Sequence, residues 1–151
     1  MDIDEVITLV KSFDGAAAFT VSEGDGSPEL AWGDTFFYYA PNGKMPQATQ
    51  PFATIVTKNY PEDARSRLDR PGIFRVNIAA GRSAFESYTA AQAFETNDDA
   101  GRLDVVMAHP VYGSLGWLCV LNPGQRTSAA TGELLREAYD LARKRYERRN
   151  G

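Results

Sequence analysis

His109, Tyr112 and Trp117 stand close together in the run His109-Pro110-Val111-Tyr112-Gly113-Ser114-Leu115-Gly116-Trp117, and His109 is the only histidine in the chain. An imidazole changes charge near neutral pH, so it can act as a general base, a metal ligand or a pocket wall. The surrounding residue types remove most of these options. A zinc site needs three or four donors, mostly His or Cys, and the chain has one of each, His109 and Cys119. The carboxylates Asp2, Asp4 and Glu5, like the pair Asp98 and Asp99, read as solvated acids. No metal and no cofactor is expected. Ser114 lacks the strand–turn–helix setting of a nucleophile elbow, and Gly24-Asp25-Gly26 is too short and too acidic to cradle a phosphate. In a His-Pro pair the ring N–H often bonds a backbone carbonyl while proline fixes the loop. A structural His109, a pocket-lining His109 and a catalytic His109 working with Tyr112, Asp34 or Arg75 therefore all stay open.

A second group is Trp32, Asp34, Lys58, Arg75 and Asn77. In Ile73-Phe74-Arg75-Val76-Asn77-Ile78 the apolar residues alternate with Arg75 and Asn77, which places those two on the opposite side of a strand from the core. An open side would give a wet face and a polar floor framed by Trp32, Tyr38 and Trp117. A covered side would require a charged partner such as Asp34, paired with Arg75 or Lys58. Apolar walls around a few converging polar groups are the make-up of a small-molecule pocket. The expected ligand-binding set is Trp32, Asp34, Lys58, Arg75, Asn77, His109, Tyr112 and Trp117; the alternative is a solvated sheet face.

The elements that must position these residues follow from periodicity and turn chemistry. Ile3, Val6, Ile7 and Val10 form one helical stripe, with Asp2 as N-cap and Glu5 three positions on. Strands are expected over 16–22, 35–39 and 52–57, joined by Gly-rich turns as an antiparallel meander. A short helix is expected over 62–69, a strand over 73–78, and a short helix opened by a Ser83–Glu86 capping box. The polar stretch 89–102 reads as a loop or weak helix and the most mobile part of the chain. A strand over 115–121 and a long helix capped by Ser128 or Thr131 complete the order. That helix buries Leu134, Ala138, Leu141 and Ala142, and Asp140–Lys144 is its expected ion pair. The fold class is α+β: an antiparallel sheet with the N- and C-terminal helices packed on one face.

Length predicts a single domain over 1–151. With 43% hydrophobic and 24% charged residues, the composition is globular and excludes a disordered chain. No apolar run is long enough to span a bilayer, and the acidic start lacks the basic n-region of a signal peptide. The unpaired Cys119 agrees with a cytoplasmic setting and reads as a buried, unreactive thiol. A net charge of −4 argues against nucleic acid as a partner. The basic surplus lies on the last helix, between Arg136 and Arg149, where cations complement the helix dipole. An exposed strand at Phe36–Tyr39 would allow a homodimer by edge pairing.

Strings spread over the whole chain resemble the uncharacterised actinobacterial family DUF6194. They are Met1-Asp2-Ile3-Asp4, Ala31-Trp32-Gly33-Asp34-Thr35-Phe36-Phe37, Pro51 to Lys58, Asp69 to Ile78, and His109 to Tyr112 through Leu121 to Gly124. The resemblance implies no activity. The layout is more distantly similar to MmcQ/YjbR-like proteins, with Trp117 and Tyr139 in the places of a late-strand Trp and a C-terminal-helix Tyr. That similarity implies a CyaY-like, "double wing" fold and carries DNA-binding and drug-binding labels. The stretch 79–108 departs from the smaller pattern. The reading that results is a non-catalytic domain binding a small molecule or a protein. An enzyme using His109 and a nucleic-acid binder using the last helix are the alternatives.

Overall fold

A computed structural model describes residues 1–92 and 99–150. Its elements in chain order are α1 (Ile3–Lys11), β1 (Ala16–Thr20), β2 (Thr35–Tyr39), β3 (Ala53–Val56), β4 (Arg75–Ile78), α2 (Arg82–Gln92), β5 (Val106–Ala108), β6 (Leu118–Leu121) and α3 (Ser128–Asn150). The strands form an antiparallel sheet in the order β1-β2-β3-β4-β6-β5. The first three are the expected meander, and β4 extends it. β4 and β5 both run antiparallel to the strand between them, β6, so they are parallel to each other. A parallel pair needs a crossover, and α2 supplies it. The fold is α+β.

Register divides the sheet into two faces. Phe37, Ala53, Ile78 and Leu118 form one cross-strand row, and Ile55, Val76, Val120 and Val106 the next. Both rows pack with Val6 and Val10 of α1 and with Leu134, Leu135, Ala138 and Tyr139 of α3. α1 begins as its sequence dictates: Asp2 accepts from the Glu5 N–H at 2.8 Å while Glu5 accepts from the Asp2 N–H at 3.1 Å. Tyr139 packs against Phe13, Tyr39 and Phe52, and its hydroxyl donates to the Asp14 carbonyl.

The other face carries Thr54 and Val56 of β3, Arg75 and Asn77 of β4, Cys119 and Leu121 of β6, and Met107 of β5. No helix covers it. The β3–β4 connection, residues 57–74, and the 109–117 segment lie over it. Leu68 joins Val56, Met107, Cys119 and Leu121 in a small second core. The expected helix over 62–69 is absent: this stretch is a series of turns with a Tyr60–Asp63 bridge and Arg67 at φ 52°. Its apolar content is too low to form a helical stripe, and its polar side chains bond across to β4 instead.

Other local expectations shift for identifiable reasons. α2 starts at Arg82, and Glu86 pairs with Arg82 rather than closing a capping box with Ser83. The expected strand over 115–121 is shortened, because 112–115 forms a 3-10 turn before β6. β5 falls inside the stretch 79–108, where its three residues are too few to show a period. α2 extends to Gln92; residues 93–98, which include Asp98, lie outside the described residues. α3 begins at Ser128. Its first turn is held by Asp104, which accepts from the backbone N–H groups of Gly124, Arg126 and Thr127 and from the Thr127 hydroxyl. Asp140 pairs with Arg136, not Lys144. β2 lies between β1 and β3, and Phe36 and Phe37 are paired on both sides, so β2 is not the edge strand that such pairing with another copy needs.

Candidate functional site

Arg75 and Asn77 lie on the side of β4 away from the helices, but that side is not wet: their exposures are 1% and 5%. A buried guanidinium must be paired and hydrogen-bonded. The partner is Asp63, from the turn region above the sheet. Arg75 Nη1 donates to Asp63 Oδ1 at 3.0 Å and Nη2 to Oδ2 at 2.5 Å, a bidentate pair. Nη1 also donates to Ser66 Oγ at 2.9 Å, and Nε donates to Asn77 Oδ1 at 2.8 Å. Asn77 Nδ2 in turn donates to Thr54 Oγ1 at 3.0 Å. Burial works against the charge on Asp63, yet the Arg75 hydrogen bonds and charge, with His109 behind them, hold its carboxyl below the usual range.

His109 closes the other side of this group. Its Nδ1 accepts from the Val111 N–H at 3.0 Å and the Tyr112 N–H at 2.9 Å. The polarity is the reverse of the expected ring-to-carbonyl bond, and it assigns the remaining proton to Nε2. Nε2 faces Asp63 Oδ2 at 3.7 Å, beyond hydrogen-bond range. Burial and the Arg75 charge together push the imidazole down to about 4, Asp63 opposing them. His109 is therefore neutral at pH 7. The Tyr112 ring leans on it, with centroids 4.9 Å apart.

Over this floor lies a cleft of about 390 Å³. Arg75, Asn77, Thr54, Asp63 and His109 form its polar floor, Gln50 and Glu62 add polar groups to the lining, and Phe36, Pro51, Val56, Tyr60, Tyr112, Leu115 and Trp117 form its apolar and aromatic walls. Leu115 is 71% exposed and Tyr112 44% exposed. Of the residues expected from sequence, Arg75, Asn77, His109, Tyr112 and Trp117 come together here. Trp32, Asp34 and Lys58 lie outside the lining. Asp34 does not pair with Arg75; it accepts from the Thr57 N–H at 3.0 Å and from the Tyr60 hydroxyl. It thus fixes the start of the β3–β4 connection and, through Tyr60, one wall. Lys58 Nζ donates to the Glu29 carbonyl at 3.2 Å, and Trp32 Nε1 donates to the Ser27 carbonyl at 3.3 Å. Both brace the turn before β2.

Sequence reasoning missed Asp63, Ser66, Tyr60 and Thr54. A covered Arg75 calls for a carboxylate, and Asp34 is the expected one; the turns of the β3–β4 connection bring Asp63 to it instead. Cys119 is fully buried, and burial pushes its thiol up to about 12, which leaves it inert at neutral pH. No group of three or more His, Cys, Asp or Glu side chains is placed to hold a metal ion among the described residues. No described helix is long and apolar enough to cross a membrane.

Fold and site together define a small α+β domain with an aromatic-walled, polar-floored cleft on the sheet face opposite its helices. The chain belongs to DUF6194, a family of unknown function whose match covers residues 1–151. No curated protein and no solved structure matches it.

Proposed function

We propose that this chain is a non-catalytic binding domain, one unit over residues 1–151, that takes a small molecule into the cleft above Arg75 and Asn77. The observation that carries this reading is the Arg75–Asp63 pair at the bottom of an aromatic-walled recess. A buried ion pair is a poor source of stability compared with well-packed apolar residues. A fold that keeps one beneath a lined cleft keeps it for what the cleft holds. A small set of fixed polar groups among aromatic walls is how such pockets orient a ligand.

The enzyme alternative fares worse on geometry. A general base needs a free lone pair within reach of substrate. The one lone pair of neutral His109 is engaged by two backbone N–H groups. The nucleic-acid alternative meets a net charge of −4, and on α3 Arg136 and Arg143 are already paired with Asp140 and Glu147. A cytoplasmic setting fits a lone buried thiol.

The test is a thermal-shift screen of a metabolite library against the wild type and Leu115→Asp, a change at an exposed rim position. A ligand at a hundred times its Kd stabilises by about 2.7 kcal/mol, which at this size is a Tm rise of roughly 5–10 °C. The expected result is one or more such ligands whose effect Leu115→Asp abolishes. A library that raises no Tm, or ligands indifferent to Leu115→Asp, would overturn the proposal.

A further inference from the structure

We infer that the cleft accepts an uncharged, flat molecule carrying a carbonyl-type hydrogen-bond acceptor at its inner end, an inference that rests on reading the cleft as a ligand site. The argument is an inventory of donors and acceptors. Arg75 has five N–H groups and makes four hydrogen bonds, which leaves one Nη2–H over. Because Arg75 Nε can only donate, the Asn77 side chain must present its oxygen there, and this fixes its amide orientation. Its Nδ2 gives one N–H to Thr54, so the second is left over. Thr54 Oγ1 accepts that bond and keeps its own proton to donate. Thr54 and Asn77 are register partners on β3 and β4, so these donors sit side by side.

Each acceptor of this group already takes a bond, and an oxygen with a lone pair unused is tolerated better than a buried N–H left without a partner. Both oxygens of Asp63 take Arg75 N–H groups, and Asn77 Oδ1 takes Arg75 Nε. Trp117, on the wall, has an indole N–H with no acceptor among the described residues. The floor thus offers N–H and O–H groups and asks for an acceptor.

Charge narrows the class further. The guanidinium is already neutralised by Asp63 at bonding distance, His109 is uncharged, and the exposed Glu62 stands on the lining. An anion would pass Glu62 to reach a cation that is already paired. A cation would be driven against the spare N–H groups of Arg75 and Asn77. A purely apolar molecule would leave those groups without partners. The aromatic lining and a volume of about 390 Å³ suit one or two fused rings.

Four shape-matched probes separate these cases: 2-acetylnaphthalene, 2-naphthoate, 2-naphthylmethylammonium and 2-ethylnaphthalene. The readout is the indole N–H signal of Trp117 in proton–nitrogen NMR of the wild-type protein, assigned as the indole signal that remains in Trp32→Phe. The ketone is expected to move that signal saturably, with a Kd at least ten-fold below each of the other three. A tightest naphthoate, a tightest ammonium, or an ethyl analogue as tight as the ketone overturns the ligand class and leaves the cleft standing. Silence of all four probes at Trp117 up to their solubility overturns the cleft reading and the class with it.

Discussion

His109 ties the stability of the domain to pH, and the sign can be worked out. Its imidazole sits at about 4 in the folded chain against 6.5 unfolded. Between those values the unfolded chain binds more protons, so stability falls as pH drops from 6.5 toward 4. The loss is on the order of 3 kcal/mol for a shift of this size. Asp63, held low by Arg75, keeps its contribution until more acid conditions, and loses it as pH passes down through its folded value. Urea unfolding of the wild type is therefore expected to show a steep decline from pH 6.5 to 4. His109→Asn supplies an oxygen for the Val111 and Tyr112 N–H groups without titrating; it should flatten that window while lowering stability at pH 7. A wild-type profile already flat from 6.5 to 4 contradicts this account. The Arg75–Asp63 pair makes a second residue-scale prediction. Asp63→Asn leaves a buried guanidinium without its countercharge and should cost about 3–5 kcal/mol, whereas the double change Asp63→Leu with Arg75→Met should recover most of that loss. A double-mutant cycle by denaturant unfolding measures the difference.

The elements are fastened at their ends by polar side chains. Asp104 gathers three backbone N–H groups and the Thr127 hydroxyl ahead of α3, which is the anionic partner a helix N-terminus attracts. Asp104→Ala removes all four bonds at once and should cost about 2–3 kcal/mol, more than the ~1 kcal/mol typical of a single cap. Asp2→Ala, which breaks the α1 capping box, should stay near that lower figure. Equal losses for the two would show that Asp104 acts as an ordinary cap. Gly15 is fixed by its own geometry: it has φ 80°, and a Cβ there would stand 2.7 Å from Tyr39 Cε1.

At the scale of the whole molecule the sheet is covered unequally. One face is sealed by two helices and a large apolar cluster. The other is roofed by turns held through Asp63, Ser66, Leu68 and Asn59, whose Oδ1 accepts from the Leu68 N–H at 2.9 Å. Few apolar contacts and many side-chain bonds make a unit that opens below the global free energy. Native-state hydrogen exchange should therefore find the amides of 59–70 opening at lower free energy than those of β3 and β4. Saturation of the cleft should raise the protection of 59–70 most, since Tyr60 and Asp63 line it.

Much of this domain was written locally. The α1 stripe and capping box, the 35–39 strand, and the placing of Arg75 and Asn77 opposite Val76 and Ile78 each depend on the period of a single element, and each stands in the structure. Nearest-neighbour chemistry also marked the His109–Trp117 segment, because a sole histidine among aromatics is visible without any fold. What lay beyond the sequence were the relations between distant segments. The meander and the α2 crossover bring residues 57–74 and 109–117 onto one face, and only then does Asp63, rather than Asp34, become the partner of Arg75. The helix expected over 62–69 failed for the same reason, since its polar side chains found bonds across the sheet that no local pattern reveals. The sequence by itself determined which residues of β4 share a face, and that Arg75 would need a countercharge if its face were covered. Tertiary structure decided which carboxylate answers it and which walls surround it, because pairing in the interior depends on distance in space, and distance along the chain does not set it.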